Sequence, residues 1–259
     1  MDNLEQELHE EPEFSHSDKI IGLFSEPSKT FEKMAGYPPK TIDWLLPITL
    51  LLIIIVLSRV IIMNNPELAF QVKQQQRESM EKTLNSQVEK GQITTEQKEE
   101  RLDSMNKPIF LFLGYLGIIV GGFIIFFIIT GIYFLFLKFA LKGEGTYTTA
   151  LVAYGLTSYI GIIQIILATI ISYIIGRLVN DVSLASLMNS DKTAVTGFIL
   201  SKLDVITIWS LLILSIGFAK LFKSQTTGKY FGMVFGLWIF WSVFSFWLAK
   251  AVPWLNFTK

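Results

Sequence analysis

The chain offers few side chains able to do chemistry. It has two histidines and no cysteine among 259 residues. His9 and His16 lie in an acidic opening stretch with Glu10, Glu11, Glu13 and Asp18. Imidazole and carboxylate groups together can hold a divalent cation. On an unordered chain, however, they must lose conformational entropy to close around it, and they impose no geometry. The stretch 1–18 therefore reads as a disordered acidic tail without a metal site. The lack of cysteine removes disulfides, thiolate metal sites and cysteine nucleophiles together. Serines are plentiful, but activating one requires a neighbouring base. The apolar runs hold no histidine and no central lysine. No catalytic residue, cofactor or metal is expected.

Arg59 stands inside an apolar run. At a midplane it would mark an ion path or a counter-charge site. It follows Trp44 by enough residues to lie roughly 22 Å along a helix at about 1.5 Å per residue. That is toward the far interface, where arginine can extend its guanidinium to the headgroups. Lys138, Lys220 and Lys250 also sit at the ends of runs, and Asp204 stands at the start of one. Gln164, Ser158 and Thr157 share the third run. Hydrogen bonds between helices account for them; a polar path between spans is the other use they could serve.

The elements that carry these residues are set by where charge is absent. Charged residues make up 17% of the chain, against roughly a quarter in soluble domains. They are confined to 1–43, to 64–107 and to the edges of apolar runs. A charge at the centre of a spanning helix costs about 2.5–3.5 kcal/mol, which is the reason for such segregation. Five runs approach the roughly 20 residues that cross about 30 Å of hydrocarbon: 44–63, 109–136, 150–175, 205–222 and 231–248. The expected fold class is all-α, a polytopic membrane helix bundle of five transmembrane spans. The second run is long for one upright crossing, so it should tilt, or bend near Gly121 and Gly122. Trp44, Tyr230 and Trp254 stand where interfacial aromatics belong. The acidic, polar opening gives no cleavable signal peptide. A formal net charge of zero gives no reason to expect a nucleic-acid partner. No internal repeat is evident, which argues against an inverted-repeat transporter.

Three polar segments complete the plan. In 19–43, Ile20, Ile21, Leu23 and Phe24 precede Ser25-Glu26-Pro27, then Phe31 and Met34. Proline just inside a helix start is a reasonable N-terminal signal. The segment either lies along the membrane surface or packs on the bundle. In 64–107, Met80, Leu84 and Val88 repeat at helical spacing, Gly91 interrupts, and Thr94 to Gln97 resembles a capping box. This predicts a polar helical hairpin between spans one and two, serving as a spacer or a docking surface, that the membrane core can do without. In 177–202, Leu184, Leu187 and Met188 predict one short amphipathic turn; Val195, Phe198, Ile199 and Leu203 predict another. Lysine and arginine counts place the N-terminus inside only when the hairpin is set aside as a translocated domain. Gly117 with Gly121, and Gly232 with Gly236, put small residues on one face of spans two and five. Such pairs allow close helix packing inside the bundle or between copies.

Several of these segments carry a resemblance. Phe24-Ser25-Glu26-Pro27-Ser28-Lys29-Thr30-Phe31 is followed, far along the chain, by GEGTYTTALVAYGLT from Gly143. Leu203-Asp204-Val205-Ile206-Thr207-Ile208-Trp209 and Gly217 come next. Together they resemble the Yip domain family of small membrane proteins, in particular its bacterial members, over about residues 20–250. The resemblance implies a membrane domain over 44–257 with five spans, a cytoplasmic N-terminus and a non-enzymatic role. Phe24, Pro27, Phe31, Leu203, Asp204, Trp209 and Gly217 are its motif residues. The tyrosine and proline motifs of the eukaryotic branch are only loosely matched by Asp43 to Pro47 and by Ala153, Tyr154 and Gly155. That branch's links to vesicle traffic and prenylated GTPases therefore do not transfer. The expectation is a scaffold or adaptor of a bacterial inner membrane. Its partners would be membrane lipids, a protein met through the tail or the hairpin, or a second copy. A transporter or channel subunit is the alternative.

Overall fold

The structure is a computed structural model that describes residues 14–104 and 108–251, leaving aside the side chains of Pro108 and Leu111. The acidic run before Phe14, His9 and Trp254 lie outside the described residues. Those residues form eleven α-helices and no strands. They are α1 (His16–Ser25), α2 (Pro27–Met34), α3 (Ile42–Met63), α4 (Pro66–Glu89), α5 (Thr95–Ser104), α6 (Pro108–Leu135), α7 (Tyr147–Ile175), α8 (Leu184–Leu187), α9 (Val195–Ser201), α10 (Val205–Leu221) and α11 (Gly228–Ala251).

Among the described residues, four helical segments are long and apolar enough to cross a membrane: α3, Phe112–Ala140, α7 and α11. A fifth qualifies only as a pair, α9 with α10, bent by 55°. Local chemistry sets the ends of these helices. Thr146 and Thr149 cap α7 reciprocally, and Gly176 closes it in the left-handed conformation at φ 63°. Asn65 accepts hydrogen bonds from Glu67 N and Leu68 N at the start of α4, behind which Pro66 takes the first helical position. α6 runs through Gly121 and Gly122 as unbroken α-helix and widens into a π-helical turn over Phe136–Ala140.

Side-chain neighbours give the directions. The Cα of Trp44 lies beside Gly155, Leu51 beside Gly161, and the Ser58 hydroxyl beside that of Thr169. α3 and α7 are therefore parallel. α10 is antiparallel to α7, since Asp204 meets Gln164 while Phe222 packs on Gly143 and Gly145. The end at which α3 and α7 begin is called the near face below, and the opposite end the far face. The larger core lies near: Leu23, Phe31, Val152, Leu156, Ile160, Leu214, Phe218 and Phe222 are buried together. A smaller cluster of Ile62, Leu68 and Val72 lies far.

Several expectations need correction. Residues 14–18 are not part of a disordered tail: Ser15 caps α1 and exchanges hydrogen bonds with Asp18. The Ser15 hydroxyl and amide hold the Asp18 carboxyl below its ordinary range. The segment 19–43 packs on the bundle, although Ile21 and Phe24 remain exposed. Helices α4 and α5 lie together, with Leu84 and Leu102 buried and Arg101 donating to Gln87 at 3.1 Å. The start of α4 is not independent of the membrane core. Leu68 and Val72 are buried against Ile62, and Gln71 donates to Gly176 O and accepts from Leu178 N, each at 2.9 Å. Asp204 does stand at the start of α10, and it meets Gln164 near the middle of α7, so α10 begins well inside the bundle. Finally, among the described residues, a Cβ at Gly117, Gly121, Gly232 or Gly236 meets nothing within 4 Å, so these glycines make no close approach to a neighbouring helix. Gly122, against Leu52, makes the close approach on α6 instead.

Candidate functional site: a helix pair fixed to the bundle

The residues with the most concentrated polar chemistry lie where α1 and α2 meet the near half of the bundle. Proline at the first position of α2 fixes φ and lacks the N–H that would go unsatisfied there, so the chain turns at Glu26 and restarts. The two helices cross closely, Gly22 lying against Thr30. α2 runs along α10. Phe31 is fully buried, and a Cβ on Gly217 would come within 2.9 Å of its ring. Only glycine leaves room for that ring at this point. Lys220 of α10 binds Glu32 at 2.7 Å, and the Phe24 and Trp209 rings lie 5.6 Å apart.

Asp43, in the first turn of α3, anchors the assembly. Its side chain is 2% exposed, and that of Lys19 is 7% exposed. The Lys19 ammonium donates to Asp43 Oδ2 at 2.6 Å. His16 Nδ1 lies 2.8 Å from Asp43 Oδ1, and its Nε2 lies 2.8 Å from the Tyr159 hydroxyl on α7. Three helices, α1, α3 and α7, are thus tied at one carboxylate, directly or through His16. The start of a helix favours an anion, which suits Asp43 to this position. Lys33 closes the outer edge over the Phe14 ring at 4.7 Å. A cavity of about 400 Å³ opens beside the cluster, lined in part by Lys19, Tyr37, Asp43, Glu144 and Lys223. Both oxygens of Asp43 are engaged, so the arrangement fixes helices in place and presents no free base.

The motif residues named from sequence converge here or just beneath. Phe24, Phe31, Trp209 and Gly217 make the α1–α2–α10 junction, and Pro27 starts α2. Asp204 caps α10 by accepting from Ile206 N and Thr207 N at 3.0 Å each, while its other oxygen accepts from Gln164 at 2.9 Å. Leu203 is exposed beside it. Thr157 donates to Tyr154 O at 2.7 Å. Thr157, Ser158 and Gln164 do not line this cavity. No group of three metal-ligating side chains occurs among the described residues.

Sequence reasoning missed His16, Lys19, Asp43 and Tyr159. One signal was available: Asp43 stands one residue before the first apolar run, where only a paired or capping acid belongs.

No curated protein and no solved structure matches the chain. The family model described as the Yip1 domain matches residues 21–249. The match begins within α1 and ends within α11, so it takes in both the α1–α2 junction and the bundle that holds it. By that match and by its set of apolar helices, the chain belongs to the Yip1 domain family of membrane proteins.

Proposed function

We propose that the chain is a non-enzymatic membrane scaffold with five crossings, the bent α9–α10 pair being the fourth. In this reading it holds the α1–α2 pair at the near face and the polar α4–α5 pair at the far face, as surfaces for partners. The observation that carries it is the closed network around Asp43. A helix pair tied through a buried ion pair presents its outer residues, Ile21 and Phe24 among them, in a fixed orientation. The near face is assigned to the cytoplasm and the membrane to a bacterial inner membrane. The transporter reading gains no support, because the polar residues proposed for a path are engaged within the bundle.

Two experiments test this. Reporter fusions after Gly143 and Ser224 should give one side, and those after Lys90 and Asp191 the other; agreement between positions 90 and 224 would refute five crossings. Liposomes holding the purified protein and loaded with pH- and ion-sensitive dyes should show no flux above protein-free controls. A flux that scales with protein and disappears in Gln164→Leu would establish transport instead.

A further inference from the structure

The second cavity, of about 800 Å³, lies in the far half between α3, α4, α6 and α7. Among the described residues, Arg59 is the one charged residue in its lining, and no carboxylate faces it there. Among the described residues Arg59 makes no ion pair, unlike Lys19, Lys192 and Lys220. A guanidinium is the side chain best matched to a phosphate, which it can grip through two parallel hydrogen bonds.

Isoleucines line the depth of the crevice, while its far-face mouth mixes polar residues with Ile62, Met63 and Phe110. Three helices contribute a polar residue toward the far face and an isoleucine about one turn deeper. On α3 these are Arg59 and Ile55; on α6, Tyr115 and Ile118; on α7, Thr169 and Ile165. The sense is the same on all three, because α6 begins at the far face whereas α3 and α7 end there. Arg59 lies about 6 Å from the end of α3 at about 1.5 Å per residue, near the headgroup level. Helix α4 roofs the polar end with Gln76 and Thr83.

From this arrangement we propose that the crevice binds an anionic glycerophospholipid, its phosphodiester on Arg59 and one acyl chain against Ile55, Ile118 and Ile165. The charge balance selects an anion, and the apolar depth selects a tailed one. The roof ties lipid binding to the α4–α5 pair, so a bound lipid holds that pair against the bundle. The site stands on observations separate from the near-face network and does not depend on the scaffold reading.

The test uses the full-length purified protein and native mass spectrometry with chain-matched phosphatidylglycerol, phosphatidylcholine or inorganic phosphate. The wild type should retain phosphatidylglycerol over phosphatidylcholine several-fold, because both lipids offer the phosphodiester but only phosphatidylcholine also brings a cation toward Arg59. Arg59→Gln should bring the two lipids level while circular dichroism stays unchanged. Ile165→Trp, which fills the deep end and keeps the charge, should lower phosphatidylglycerol retention to a similar degree. If Arg59→Gln does not fold, Ile165→Trp decides. Equal retention of both lipids by the wild type, or an unchanged preference in a folded variant, would overturn the proposal. Displacement of the lipid by inorganic phosphate would also overturn it, by showing a site for free phosphate.

Discussion

The near and far ends of this bundle each place a cation among apolar helices and treat it in opposite ways. At the near end Lys19 meets Asp43, which also takes His16, and all three side chains are withdrawn from solvent to different degrees. At the far end Arg59 faces a crevice without a carboxylate among the described residues. Burying a charge is costly unless it is paired. A protein that supplies the partner gains a fixed joint, and one that withholds it leaves a place for a ligand. The near end is therefore read as architecture and the far end as a binding site.

The harshest way to break the contrast is Asp43→Ala. It leaves the Lys19 ammonium buried without a counter-charge, and removal of one partner from such pairs costs about 3–5 kcal/mol. Thermal stability in detergent should fall accordingly, and limited proteolysis should begin in α1. The double change Lys19→Met with Asp43→Leu should recover most of the loss, because no charge is then stranded. If the single change is tolerated as well as the double, the joint is ornamental.

A smaller effect is expected from two glycines that sequence alone does not tell apart. Gly217→Ala drives a methyl into the Phe31 ring, and overpacking of this kind costs about 1–3 kcal/mol. Gly236→Ala meets nothing among the described residues and should stay within about 0.5 kcal/mol. Equal losses of thermal stability at the two positions would mean that α11 packs on something beyond the described residues, such as a second copy.

That pair also shows what could be read in advance. The helices of the bundle were legible because bilayer thickness and hydropathy dictate their length, and the break at Gly91 and Thr94 with Gln97 marked the end of α4 and the start of α5. Spacing alone does not say which face of a helix meets which neighbour. Hence Gly117, Gly121, Gly232 and Gly236 looked like packing positions, while the contacts fall to Gly122, Gly155 and Gly217. His16 looked like a tail residue because its partners, Asp43 and Tyr159, are distant in sequence and become neighbours only through folding. The depth of Asp204 was hidden for the same reason: its level is set by Gln164 on another helix.

The mildest effect belongs to the far-face loop. Burial works against the Asp181 charge, but bonds from Lys192, Ser183 and Ser186 outweigh it and lower its pKa from 3.8 to about 2. A group depressed on folding contributes stability above its unfolded pKa and loses it as pH falls through the folded one. Hydrogen exchange in 181–192 should therefore quicken as pH drops from 3.8 toward about 2, after correction for the intrinsic rate. Asp181→Asn should show a flatter response over the same window.

The claim that most of this rests on is that α1 is held in one position by the Asp43 network. Because the chain has no cysteine, nitroxide labels can be placed at Ile21→Cys on α1 and Leu212→Cys on α10 without background. Electron–electron distance measurement in liposomes should give one narrow distribution, broadened when Asp43→Asn is added. A broad or two-peaked distribution with Asp43 intact would contradict the account, since α1 would then leave the bundle on its own.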